Sequence, residues 1–200
     1  MERLLRVLIF LSGVLVMPNI VVYLSSQTIS TLAAERESKV EFYSTKYGLS
    51  TNLVKAIISN ESFNYKFSYR DDSLVLKKQK WVKEWVSKNP KLYKEYGDTL
   101  FHSAGYMQVL FIVAVADYYF RGTIEQFLQI DNQLDIGCRH LKSKVKQYRG
   151  NLKDAISAYN QGWNGWKDLD GDKIKDENEV YYNQPYVDKV WSEYVRLGGQ

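Results

Sequence analysis

A carboxylate on the apolar stripe of a helix constrains this chain more than any other feature. The stretch from Ser50 to Phe63 reads as a helix, with Gly48 ending what precedes it and Ser50 or Thr51 placed to cap the first turn. Leu53, Val54, Ile57 and Ile58 recur at helical spacing and form one apolar stripe. Glu61 follows Ile57 and Ile58 by four and three positions, so it falls on that stripe, where the pattern asks for a core residue. It is also near the helix C-terminus, where the dipole disfavours negative charge. Both effects raise a carboxyl pKa, which suits a general acid at neutral pH. The alternative is a frayed helix-end glutamate in water, and the rest of the chain decides between them.

With 200 residues the chain holds one domain of ordinary size plus a tail or insertion, and an apolar fraction of 45% is enough for a real core. Sixteen Tyr and five Trp suit either a groove that stacks on sugar rings or a Tyr-rich core. The net charge of +4 is small and its Lys and Arg are scattered, so no nucleic-acid partner is expected. Cys138 is alone and sits in an apolar helical pattern, so it reads as buried and inert. His102 and His140 lack metal-motif spacing and read as structural or exposed.

Residues 1–30 are expected to be a signal or transmembrane segment, and 31–200 the working domain. Arg3 and Arg6 precede Val7 to Leu24, which is free of charge. As a helix that run would span about 27 Å, close to a bilayer core. Charge ahead of it favours an inside N-terminus and an exported chain. Thr31-Leu32-Ala33 offers a cleavage site for a secreted form; the length of the run favours an uncleaved anchor facing the periplasm or wall.

The remainder reads as mainly α. A polar leading helix over about 31–47 places Val40, Tyr43 and Tyr47 at helical spacing, and Phe63 to Leu76 reads as a loop. A helix from Lys78 to Lys88 would put Trp81, Val82 and Trp85 on one face; Asn89-Pro90 stops it, and Lys91 to Tyr96 adds a further turn before the break at Gly97-Asp98. Gly105 to Phe120 reads as a buried helix. Thr123 caps a short helix to Leu128, Asp131 caps a longer one through Leu134, Cys138, Leu141 and Val145, and Gly150 ends it. Asn151 caps a helix that ends at Gly162, and Pro185 suits the first turn of a final helix through Val187, Val190, Trp191, Tyr194 and Val195. No segment shows sustained period-two alternation.

Four stretches in order resemble the soluble lytic transglycosylase domain of the lysozyme superfamily: Ala56 to Phe63 with its Glu-Ser, Ser103-Ala104-Gly105-Tyr106-Met107-Gln108, Ala158-Tyr159-Asn160-Gln161-Gly162, and Tyr186-Val187 with Val190. The stretch Asp131 to Leu141 is similar to the helix that joins the second and third. The resemblance covers about residues 40–196. It implies a lysozyme-like α fold and cleavage of the MurNAc–GlcNAc bond of peptidoglycan to a 1,6-anhydro end, with Glu61 acting first as acid and then as base and no cofactor for the chemistry. Ordinary glycosidases need two carboxylates, and no obvious partner for Glu61 stands out. Asp71 and Asp72 lie in a polar stretch and are poor candidates.

By the same resemblance Ser62 would orient Glu61, or else be a plain helix-end residue. Met107 and Gln108 would line the groove, Gln108 bonding a sugar amide, with core packing as the alternative for Met107. Tyr159 would bring its hydroxyl to Glu61 or the N-acetyl group, Asn160 would hold the motif turn, and Tyr186 completes the set. A lysozyme-type muramidase and a catalytically silent glycan- or calcium-binding module are the rival readings. Expected partners are the glycan strand, the membrane and a larger envelope-spanning assembly.

The chain departs from that pattern in places. From Glu61 to Gly105 is 44 positions, longer than the usual connection. The insertion, about 67–102, carries Trp81, Trp85, Tyr93 and Tyr96 and reads as a packed surface insertion, with a lid or an added groove wall as the alternative. Tyr106 stands where Leu is usual. In the stretch 168–179, Asp168, Asp170, Asp172, Asp176 and Glu179 fall at positions 1, 3, 5, 9 and 12 of an EF-hand-like loop, with the Ile174 carbonyl at position 7. Lys173 stands where Gly is wanted. A structural Ca²⁺ is expected there, with a solvated acidic loop as the alternative.

Overall fold

A computed structural model describes residues 30–65, 69–167, 175 and 180–200. The expected N-terminal segment and the acidic loop, including Asp168, Asp170, Asp172, Ile174, Asp176 and Glu179, lie outside the described residues. Among those described, no helix is long and apolar enough to cross a membrane. The chain divides into two compact units, Met1–Ser38 and Lys39–Gln200. In the first, residues 30–38 are helical.

The second unit is mainly helical. After α1 (residues 39–46) comes α2 (Thr51–Ser62), which buries Leu53, Val54, Ile57 and Ile58, the stripe expected of it. Ser50 stands at the N-cap without a side-chain cap bond, and Thr51 instead shares a 2.7 Å hydrogen bond with Ser44. Burying an aliphatic side chain contributes about 1.5–3 kcal/mol, so packing outweighs the missing cap. The last helix, α10 (Gln184–Arg196), starts with Pro in its first turn and packs Val187, Val190 and Tyr194 against the core and α2. Val195, expected on that face, is exposed.

Between them lie β1 (Tyr69–Asp71), α3 (Ser73–Leu76), α4 (Lys80–Lys88), α5 (Pro90–Tyr96), a 3-10 turn (Gly97–Phe101), β2 (His102–Ala104), β3 (Val109–Leu110), α6 (Phe111–Ala116), α7 (Ile124–Phe127), α8 (Ile130–Gln147), α9 (Leu152–Gln161), β4 (Trp166–Lys167) and β5 (Val180–Tyr181). The strands form an antiparallel β1-β2-β3 sheet and an antiparallel β4-β5 ribbon. In the first, Arg70 pairs with Ser103 and Ser103 with Leu110.

The stretch 63–76, read as loop, therefore holds a strand and a helical turn. Three-residue strands carry too little alternation to be read from sequence. The buried helix expected over 105–120 is only α6, because Gly105 to Gln108 form a turn and Val109–Leu110 pair with β2. Asp131 does not cap α8, whose N-cap is Gln129. It accepts bonds from Lys39 (2.7 Å) and Tyr43 (2.9 Å), tying α8 to α1. Capping held where expected at Thr123, which forms a capping box with Gln126, and at Asn151, whose side chain accepts from the Asp154 N–H.

Candidate active site

Glu61 sits in the last turn of α2, on the wall of a groove of about 640 Å³. Arg70, Asp72 and Ser103 from the small sheet line it, as do Gln108 after the second motif, Asp117 after α6, His140 and Lys144 of α8, and Tyr159 to Gly162 at the end of α9. Burial pushes the Glu61 carboxyl above the usual carboxylate range. The Tyr186 hydroxyl bond, the Arg70 charge and the Asn160 amide oppose that rise and only partly cancel it.

The tyrosine that bonds Glu61 is Tyr186 and not Tyr159, for which that role was expected. Tyr186, on α10, donates to Glu61 Oε1 at 2.6 Å. Tyr159 lines the groove, but its hydroxyl donates to the Met107 carbonyl at 2.7 Å. It therefore ties the third motif to the second. His140 packs beside it with ring centroids 5.2 Å apart, and burial holds His140 down to about 4, so its imidazole is neutral at pH 7.

Met107 does not line the groove. It is buried at 1% exposure, against Gly137 of α8. A β-carbon on Gly137 would come within 2.6 Å of the Met107 sulfur, so glycine is what lets the second motif seat. The turn itself hangs on Gln133: its Oε1 accepts the Tyr106 N–H at 2.5 Å, and its amide donates to the Leu128 carbonyl at 2.7 Å. Gly105 has φ +79 and no room for a β-carbon beside that Gln133 side chain. Gln108 reaches the groove from φ 47, its amide donating to the Gly105 carbonyl.

Ser62 makes no bond to Glu61 among the described contacts. Its buried hydroxyl donates to the Ile58 carbonyl (2.9 Å) and accepts the Tyr65 N–H (3.2 Å). It thus braces the reversal at Phe63, Asn64 and Tyr65, all left-handed at φ 48, 56 and 69. Asn160 accepts from the Asn183 amide at 3.1 Å, and Asn183 also bonds the Ser157 hydroxyl and carbonyl. Asn183 precedes α10, so this small network docks α9 against the helix that carries Tyr186.

Sequence reasoning missed Arg70. Its guanidinium grips Asp72 through two bonds, 2.8 and 3.1 Å, and reaches the Ser103 hydroxyl at 3.2 Å. Ser103 in turn donates to Asp72 at 2.6 Å. Asp72 is therefore in the groove but already engaged, while Asp71 pairs with His102 and caps the Ser73 N–H. Asp117 and His140 were missed as groove residues too. Burial raises the Asp117 carboxyl, and the Lys144 charge opposes this. No group of three His, Cys, Asp or Glu side chains among the described residues could hold a metal. The insertion delivers Val75, Leu76, Gln79 and Trp81 to the groove, so part of it is wall and not only surface packing.

Comparison with curated proteins and with solved structures gives no match. A family model described as the transglycosylase SLT domain matches residues 38–180. That span contains Glu61, the Gly105 to Gln108 turn and the Tyr159-Asn160 motif, and the helical unit brings Glu61, Gln108, Tyr159 and Asn160 to one groove. The chain belongs to the transglycosylase SLT domain family of the lysozyme-like superfamily.

Proposed function

We propose that this protein is a lytic transglycosylase that cuts the MurNAc–GlcNAc bond of peptidoglycan and leaves a 1,6-anhydroMurNAc end. The observation that carries the reading is Glu61: a carboxyl raised by burial, in a groove built from the motifs of its family. Protonated Glu61 gives its proton to the bridging oxygen as the bond from that oxygen to C1 of MurNAc breaks. The substrate's N-acetyl group supports the positive sugar centre. The 6-hydroxyl oxygen of the same sugar then bonds C1, and its proton returns to Glu61. No water is consumed, and proximity of the attacking hydroxyl supplies the entropic advantage. Tyr186 holds the carboxyl in place, Gln108 and Asn160 offer amides to the sugar's polar groups, and Tyr159 and Ser62 fix the motifs that carry them. Met107 acts through packing.

A muramidase is the second reading, and Asp117 favours it as a further titratable carboxyl in the groove. Product analysis separates the two. Wild-type digests of purified sacculi should contain anhydro ends by mass spectrometry, and Glu61→Gln should lower their yield by about 100-fold or more. Reducing ends in place of anhydro ends would establish the muramidase. Unchanged cutting by the Gln variant would remove Glu61 from the chemistry.

A peptidoglycan substrate supports an exported enzyme, anchored in the membrane or secreted and working at the wall, in remodelling, in an envelope-spanning secretion or conjugation assembly, or in virus entry. The acid spacing of residues 168–179 supports a structural Ca²⁺ that steadies the chain after Tyr159; no step of the chemistry uses it.

A further inference from the structure

The segment between Glu61 and the second motif leaves apolar surface unused by its own packing. α4 buries Val82 and half-buries Trp85 and Val86. Trp81 precedes Val82 by one position and Trp85 by four, about 100° and about 40° around the helix, and so sits at the margin of the face expected to pack. It is 47% exposed, and it lines the groove that holds Glu61. Val75, which also lines the groove, is 64% exposed. Among the described residues, the Trp81 indole has no ring partner and its N–H no acceptor. Apolar area left in water costs about 25 cal/mol per Å², and here it lines the same cleft as Glu61.

A flat indole with a free N–H suits the apolar face of a sugar ring, with the N–H left for a hydroxyl or amide. The rest of the groove offers the complement. Gln79 of the insertion lines it too, and Gln108 and Asn160 come from the motifs. We propose that the insertion is a wall of the substrate groove and that Trp81 is a stacking platform for a ring of the glycan strand. It contributes affinity and placement, not proton transfer. This rests on reading the groove as a glycan site.

The test uses the full chain and glycan strands solubilised from sacculi. Trp81→Ala should raise KM by about tenfold and change kcat far less, Trp81→Phe should recover most of the loss, and Leu74→Ala should match wild type. Leu74 is 81% exposed and does not line the groove, so it reports general loss of apolar surface. A KM within about twofold of wild type for Trp81→Ala, with its Tm retained, would overturn the proposal. Binding is read separately in the Glu61→Gln background, where added strands should change the tryptophan emission with Trp81 present and not after Trp81→Phe. An equal change in both would also overturn it. Because this readout needs no cutting, it stands apart from the identity of the acid or of the product.

Discussion

The Tyr186 hydroxyl donates a 2.6 Å hydrogen bond to Glu61 Oε1, joining residues 125 positions apart. A bond to the charged form of a carboxyl lowers its pKa, while burial raises it, and burial is the larger effect here. The proton donor is thus set by burial on one side and, on the other, by Tyr186, Arg70 and Asn160, which reach it from separate elements.

Tyr186→Phe removes the largest of the lowering influences. Glu61 then holds its proton to higher pH, and the alkaline limb of the rate profile, where the acid form is lost, should move upward. The carboxyl also loses its tether, so kcat should fall by about tenfold to a hundredfold. A profile of kcat against pH for the two proteins checks both.

Glu61→Gln should melt higher than wild type near pH 7. The folded pKa of Glu61 is raised above the ordinary 4.5. Its contribution to stability is fully present below the unfolded pKa and is lost as pH rises through the folded pKa. The uncharged amide avoids that loss. The gap in Tm should therefore close on acidification to about pH 4, with about 2–4 °C for each kcal/mol in a chain of this length.

Gly137→Ala should destabilise by about 1–3 kcal/mol, because its β-carbon would meet the Met107 sulfur at 2.6 Å. Denaturant midpoints measure this. Activity should fall by more than the folded fraction does, because Met107 precedes the groove residue Gln108.

Cys138 is fully buried, and burial pushes its thiol up to about 12. A thiol-specific reagent at pH 8 should label it only as fast as the domain opens, with full reaction in denaturant. Fast labelling of the native protein would contradict the packing of α8 on α9.

Chelation supplies the last prediction. The acid spacing of residues 168–179 predicts that Ca²⁺ raises Tm and that chelator lowers it again. Melting curves with and without chelator decide it, and coincident curves count against a metal there.

Helices whose signals lie within a few residues of one another were legible from the residues alone. Thr123 with Gln126, Asn151 with Asp154, and Gly162 at φ +87 define ends by local bonds, and those ends fell where expected. The same holds for Glu61 on its apolar stripe, because helical spacing alone puts it there. Tertiary structure decided the rest. Tyr159 and Tyr186 are alike as residues, and only the approach of α10 to α2 gives Glu61 to Tyr186 and leaves Tyr159 the Met107 carbonyl. Arg70 enters the groove because β1 pairs with β2 across more than thirty positions, a choice no three-residue strand announces. Capping and periodicity act between neighbours and are written in order along the chain. Which hydroxyl reaches which carboxylate depends on distances set only when remote segments pack together.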